Sequence, residues 1–565
     1  MKILLLATAF SGLTQRVQRE LLLLGHDLQL HINLREAPLR KQIKSFQPDL
    51  IICPFLTQRI PDDIWQNTTC LIVHPGIEGD RGPSSLDWTI VGQEPAWGVT
   101  LLQAHKEMDA GDIWGTAEFP LRNASKLSLY KREVSTAAVR LIKQALQDTN
   151  NRFFNTRPLQ YTDPAVRGVL RPLMRQADRK INWQRDNTAT IVNKLNAADT
   201  SPGVADKLNG VDIHCYGPVA EPELRGKPGQ LLALCEDAVC RATVDGAVWI
   251  RQMKCKTLTE LPAIKLPARQ VVQAILSPKE CKALAELSEH KSINDIRVDY
   301  CGDAAYVYFN FYNGAFSTRQ CRALRQALQQ VKRSDAQFIV LMGGEDFWSN
   351  GIHLNCIEAA TNPAEYSWEN IQAIDDVVLE IIDSPQHITI AALRNNSGAG
   401  GSIMALACDE VIVREGTVHN PHYRGMGLYG SEYWTYLLPK RVGAKVAKQL
   451  TSDCDPLLAA EAMQLGFADI SFAEDWDEFH RQLFEHVTRL SQHLNVDAFL
   501  DTKQRHRKAE EAKKPLAKYR QEELEQMRRI FFDPDSDYHQ LRRNFVYKGK
   551  VPADLETEVR FATSR

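Results

Sequence analysis

The sequence predicts an α/β protein of several domains: a Rossmann-like open sheet, a small β-barrel, a second α/β domain and a helical ending. Three observations carry this. Apolar runs bounded by turn residues alternate with helix-period segments in the N-terminal third, the βαβ pattern that builds parallel sheets. Strand signals then dominate through Gly226-Lys227-Pro228-Gly229 and the residues after it. From about Leu266 the α/β alternation resumes, and beyond Asn495 the chain turns dense in mixed charge. At 565 residues, 44% of them hydrophobic, the chain can fill several cores. The expected domains are 1–165, 166–265, 266–495 and 496–565.

The N-terminal elements follow in order. Residues 1–10 read as a first strand, Ser11-Gly12 as its turn, 15–24 as a helix and 48–56 as a buried strand. The run Cys70-Leu71-Ile72-Val73 delivers His74 onto the turn Pro75-Gly76, at a strand's carboxyl end, where ligands of open α/β sheets bind. The loop Gly79-Asp80-Arg81-Gly82-Pro83-Ser84-Ser85 is too rich in Gly and Pro for a helix. A short helix and a strand around 98–102 then lead to Met108-Asp109-Ala110-Gly111-Asp112. The first apolar run is not read as a signal peptide, because its core is brief and no small-x-small cleavage site follows.

Read together, these residues resemble the folate-dependent formyltransferases. The resemblance implies 10-formyltetrahydrofolate as donor, His74 and Asp109 as the catalytic pair, and Arg81, Gly82, Ser84 and Asp112 as contacts to the folate. The chemistry explains the residue types: formyl transfer passes through a tetrahedral intermediate, and a proton must be taken and returned near neutral pH. Imidazole suits that task, and a carboxylate beside it stabilises its charged form. The family's amide donor two residues before the histidine is replaced by Ile72.

A linker over 156–172 is expected to end this domain, and 180–250 resembles the small β-barrel of methionyl-tRNA formyltransferases. A net charge of −2 argues against a nucleic-acid partner, which needs a concentrated basic face, so the barrel reads as a spacer or lid. Twelve cysteines without a C-x-x-C pair suit a reducing cytoplasm and give neither a disulfide framework nor a metal site. No apolar run reaches the length of a membrane span, so a cytoplasmic protein is expected.

Beyond Leu266, strands expected over 304–310, 338–344 and 387–393, helices over 317–331 and 459–465, and the stretch Ser397-Gly398-Ala399-Gly400-Gly401-Ser402 resemble the enoyl-CoA hydratase/isomerase (crotonase) superfamily. That implies coenzyme A as ligand and an oxyanion hole made by the amides of Ile352 and Gly400, with Gly351 and Gly401 shaping the turns. The two glutamates of the hydratases are absent, their positions holding Ile403 and His422. Tyr423 and Glu432 are the candidates to replace them. A buried Glu432 beside Tyr433 and Trp434 has its pKa raised; an exposed one is an ordinary surface acid. Arg543 and Lys548, in the helical ending, are candidates for the CoA phosphates.

The order of modules resembles a family of hydrogenase maturation factors over almost the whole chain. The resemblance implies two steps: formyl passes from 10-formyltetrahydrofolate to CoA, and formyl-CoA then loses carbon monoxide for a nickel–iron hydrogenase. It also implies the hydrogenase large-subunit precursor or its maturation proteins as partners, while charge and hydropathy point to no nucleic acid and no membrane. Formyl-CoA has no α-carbon, which makes the missing enolate-forming glutamates understandable. Two other outcomes stay open: an enzyme releasing formate or another acyl-CoA, and a folate- and CoA-binding scaffold for the precursor.

Overall fold

Strands β1 (Lys2–Ala7), β2 (Asp27–Ile32), β3 (Leu50–Cys53), β4 (Cys70–His74), β5 (Ala96–Gln103) and β6 (Ile113–Pro120) form the first sheet, in the order β2-β1-β3-β4-β5-β6. The computed structural model describes residues 1–149, 151 and 153–549, so the part of the expected helical ending at 550–565 lies outside the described residues. The first four strands are parallel, as expected, but β5 runs antiparallel to both β4 and β6. The cause is the connection after β4. Its helix, Ser85–Gly92, has eight residues, and the chain re-enters the sheet beside β4 with Leu71 opposite Gln103 and His74 opposite Thr100.

Local chemistry sets the helix starts. Ser11 caps the helix Gly12–Leu23 by accepting the Thr14 N–H at 3.2 Å, and Ser317 with Gln320 forms a capping box before Thr318–Val331. Val17, Leu21, Ala138 and Ile142 cover one face of the first sheet, where Leu5, Ile52 and Leu101 are fully buried.

The chain divides into two compact units, one of residues 1–253 and 267–293 and the other of 254–266 and 294–565, so the boundary expected at 265/266, one of the three from sequence, is not a single cut in the chain. The reason is a strand: Ala285–Leu287 pairs in parallel with Leu231–Cys235 of the middle sheet, which ties 267–293 to the first unit. That sheet is the β-rich domain expected after the linker. Its strands run Ala285–Leu287, Leu231–Cys235, Ala238–Ala242, Ala247–Cys255, Val211–Glu221 and Val204–Leu208 in spatial order. The linker is strapped down rather than free. Arg157 bridges to Ile113, Leu170 to Arg81, and the Gly168 N–H donates to the Glu78 carbonyl at 3.0 Å.

The second unit holds a six-stranded sheet in the order Ile296–Cys301, Ala304–Phe309, Phe338–Gly343, Ile388–Leu393, Glu410–Arg414 and Ile470–Phe472. Its first pair is antiparallel and the rest parallel. On one face Phe479, Leu483 and Val487 of the helix Trp476–His493 pack on Phe338, Val340 and Ile390. On the other, Met527, Phe531 and Tyr538 of the C-terminal helices join one core with Trp348, Ile374 and Ile403. Leu483 is fully buried, so Leu483→Ala should lower the stability of this unit by about 2–5 kcal/mol. Denaturant unfolding followed by circular dichroism measures it.

Two candidate active sites

In the first unit, β4 carries His74 to the mouth of the sheet, where it is 4% exposed. The turn beneath is pinned from three sides. The Pro75 carbonyl accepts from Trp97 Nε1 at 3.0 Å and Ser85 Oγ at 2.8 Å, and the Gly76 carbonyl accepts from Thr100 Oγ1 at 2.8 Å. A Cβ on Gly76 would overlap the His74 ring, so only glycine fits.

His74 stands between two carboxylates. Its Nε2 lies 3.0 Å from Asp80 Oδ2 and its Nδ1 lies 3.6 Å from Asp109 Oδ1. Asp109 adopts a left-handed backbone (φ +56°) and its Oδ2 accepts the Gly82 N–H at 3.2 Å. Burial opposes a charge on His74, but the hydrogen bond to Asp80 and the charges of Asp109 and Asp80 outweigh it and hold its pKa above the ordinary value. Asp80 is the residue that sequence reasoning missed. It is fully enclosed, and Arg171 Nε lies 3.4 Å from its other oxygen.

The expected folate contacts surround this pair, with different duties. Arg81 stacks 4.5 Å from the Tyr161 ring and pairs with Glu107 at the rim. The Gly82 amide orients Asp109. The Ser84 hydroxyl accepts the Met174 N–H at 3.1 Å, and Asp112 Oδ2 accepts the Thr156 hydroxyl at 3.0 Å, so both serve the loops around the site. Ile72 points to the same side of its strand as His74 and packs among Leu4, Leu39 and Ile51.

The second site forms where two turns meet. Gly351 has φ +77°, and a Cβ placed on it would lie 3.6 Å from the Gly400 nitrogen. The Ile352 amide, just after Gly351, and the Gly400 amide therefore belong to neighbouring turns. Gly400 opens the helix Gly400–Ala405, whose first amides have no acceptor within the helix. Ala399 before it holds a strained φ of +48°, and a Cβ on Gly401 would overlap the Ser349 carbonyl. Ile403 is buried in the core and His422 is depressed in pKa by burial.

Glu432 is 1% exposed, and a Cβ on Gly400 would collide with its carboxyl group. Its Oε2 accepts the Tyr423 hydroxyl at 2.8 Å and the Ser431 N–H at 3.1 Å. Burial, then the neighbouring charge of Asp375, raises its pKa to about 8. Of the expected phosphate contacts, Arg543 lies in the last turn of the helix Asp537–Val546 and Lys548 is exposed at φ +55°; neighbouring Arg542 is buried and pairs with Glu358 at 2.7 Å. Among the described residues, Glu221, Glu223 and His290 approach as metal ligands would, but Glu221 already accepts Trp249 Nε1 and the amides of Glu223 and Leu224.

Comparison with known proteins fits this division. Residues 173–264 match the formyl transferase C-terminal domain, and residues 310–550 match the enoyl-CoA hydratase/isomerase family. The methionyl-tRNA formyltransferase of Syntrophus aciditrophicus is 22% identical over 38% of this chain and 68% of its own length. The fold and sites thus define a formyltransferase domain joined to a crotonase domain. The hydrogenase maturation factor HoxX of Bradyrhizobium diazoefficiens is 40% identical, covering 97% of this chain and 95% of that one. The crystal structure of HypX from Aquifex aeolicus in complex with tetrahydrofolic acid superposes with a TM-score of 0.91 at 38% identity, covering 97% of this chain and 96% of that one. The chain belongs to the HypX/HoxX family of hydrogenase maturation factors. Among the described residues no helix is long and apolar enough to cross a membrane.

Protonated His74 paired with Asp80 stabilises the fold fully below the ordinary histidine value of 6.5, and that contribution is lost as pH rises through the higher folded value. Asp80→Asn removes the hydrogen-bonded one of the two carboxylates that raise that value. The His74 imidazole titration, followed by NMR, should move to lower pH in this variant; an unmoved midpoint would show that Asp80 does not govern the ring.

Proposed function

We propose that this chain transfers formyl from 10-formyltetrahydrofolate to the thiol of CoA at His74 and Asp109, and then splits formyl-CoA into carbon monoxide and CoA at Glu432. The carbon monoxide serves maturation of a nickel–iron hydrogenase, whose precursor or maturation proteins are the partners, in the cytoplasm. The tetrahydrofolate bound to the Aquifex aeolicus relative supports the donor, and the intact pair at 3.6 Å supports the transfer. In the first step neutral His74 takes the thiol proton as sulfur attacks the formyl carbon, and returns it to the leaving folate nitrogen. Asp80 and Asp109 stabilise the imidazolium between these events.

One observation carries the second step: a buried carboxylate lies against the Gly400 turn, where a thioester oxygen held by the Gly400 and Ile352 amides would sit. Glu432 removes the formyl hydrogen as a proton. The C–H electron pair stays on carbon as its lone pair, an oxygen lone pair completes the C–O triple bond as the C–S pair leaves with the thiolate, and Glu432 then protonates the sulfur. A carboxyl pKa of about 8 suits both halves, because an alkyl thiol titrates near about 8.5 and the proton moves almost level. Tyr423 fixes the carboxyl's rotamer. With Ile403 and His422 at the positions of the two hydratase glutamates, the carboxylate pair that activates water in hydratases is missing, which favours carbon monoxide over formate.

Purified protein with 10-formyltetrahydrofolate and CoA should release carbon monoxide, trapped as a haem-protein adduct. His74→Ala should stop release of tetrahydrofolate. Glu432→Gln should keep that release but yield formate, from spontaneous hydrolysis of the thioester, in place of carbon monoxide. Formate as the product of the unaltered protein, or undiminished carbon monoxide from Glu432→Gln, would overturn the reading. Gly400→Val displaces both an oxyanion donor and the Glu432 carboxyl, so conversion of supplied formyl-CoA should fall by about two orders of magnitude or more. Tetrahydrofolate release should be unchanged, and a loss there alone would mean the two steps are assigned to the wrong units.

A further inference from the structure

The segment that bears Glu432 is held in a costly shape. Glu432 and Tyr433 are consecutive non-glycine residues in the left-handed region, at φ +60° and +59°, which persists only where the surroundings over-determine it. Two carboxylates from separate helices do so. Asp375, on the helix Pro363–Ile382, is fully buried and accepts the Glu432 N–H at 2.8 Å and the Ser431 hydroxyl at 2.7 and 2.8 Å. Glu523, on the helix Leu516–Phe532, accepts the Tyr433 N–H at 2.9 Å and the Thr435 N–H at 2.8 Å, together with the Thr435 hydroxyl.

Three carboxyl groups thus share one dry region. Facing Glu432 are the Tyr423 hydroxyl, the Cys321 thiol, and the carboxyls of Asp375 and Glu523. Behind Asp375 stands Arg520, with Nε 3.9 Å from Asp375 and Nη1 2.7 Å from Asp376. Burying carboxylates with so little countercharge is expensive, so the cluster retains protons into the neutral range.

We propose that Asp375 is a positioning residue for Glu432: it locks the strained turn that aims the Glu432 carboxyl at Gly400, and its charge, balanced from behind by Arg520, governs when Glu432 gives up its proton. The proposal rests on Glu432 being the base. The directions of titration agree with the geometry. Burial is the largest cause in each case, raising Asp375 to about 6 against the opposing pull of Arg520, and Glu432 to about 8 with the charge of Asp375 adding to it.

The two neighbours therefore have opposite signatures. Asp375→Asn keeps an acceptor for the Glu432 N–H and removes a negative charge, so Glu432 ionises at lower pH. Arg520→Gln removes a positive charge, so the cluster holds its proton to higher pH. The test measures carbon monoxide from supplied formyl-CoA across pH in the full chain. The low-pH limb should move down by about one unit in Asp375→Asn and up by about one unit in Arg520→Gln. Formyl transfer to CoA should be unchanged in both. Limbs that stay in place, or move the same way, overturn the proposal. If Asp375→Asn does not fold, Arg520→Gln, whose side chain is partly exposed, decides alone. Glu432→Gln run beside them separates the two ideas: activity retained there defeats the base assignment, whereas activity lost there with unmoved limbs in the other two defeats only the role of Asp375.

Discussion

The chemistry assigned to the second unit depends on keeping the carboxyl of Glu432 out of water. A solvated carboxylate is too weak a base to take a proton from carbon, and burial supplies the missing strength by raising its proton affinity. The arrangement of the unit follows from that need. Gly400 must be glycine because the carboxyl occupies the space a side chain would take. The strained residues Ala399, Glu432 and Tyr433 line the same small volume, and the helices Pro363–Ile382 and Leu516–Phe532 each spend a buried carboxylate on holding it. Met527 and Phe531 of the second of these helices close the core behind it.

The first unit answers a different demand with related means. In the proposed transfer His74 is neutral when it takes a proton and charged a moment later, and it is enclosed with carboxylates beside both ring nitrogens. Burial and charge pull in opposite directions on it, and the carboxylates win. In Glu432 burial and the nearby charge of Asp375 pull the same way. Both groups thus end above their ordinary values, His74 in spite of burial and Glu432 because of it.

Much of this was legible from residue order. Strand ends, the His74 turn and the Gly400 turn follow from apolar runs broken by glycine and proline, because those residues constrain the backbone locally. Glu432 was legible as a candidate, but not its burial, which depends on helices more than fifty residues away in sequence, at Asp375 and Glu523. Asp375 left a trace: it is an acid in the apolar stripe of Ile371, Ile374 and Val378, where a polar residue needs a partner. Asp80 left less, since an acid in a Gly-rich loop is usually exposed. The reversed direction of β5 and the strand Ala285–Leu287 were illegible for the same reason, because pairing partners distant in sequence are not encoded in periodicity.

The claim that a buried carboxylate removes the formyl hydrogen as a proton is tested most directly by isotopic substitution at that hydrogen. Single-turnover release of carbon monoxide from formyl-CoA deuterated on the formyl carbon should be slowed several-fold relative to the protiated thioester, with the deuterium recovered in the CoA thiol and solvent. Release at equal rates with fast chemistry, or deuterium retained in formate, would contradict proton abstraction by Glu432.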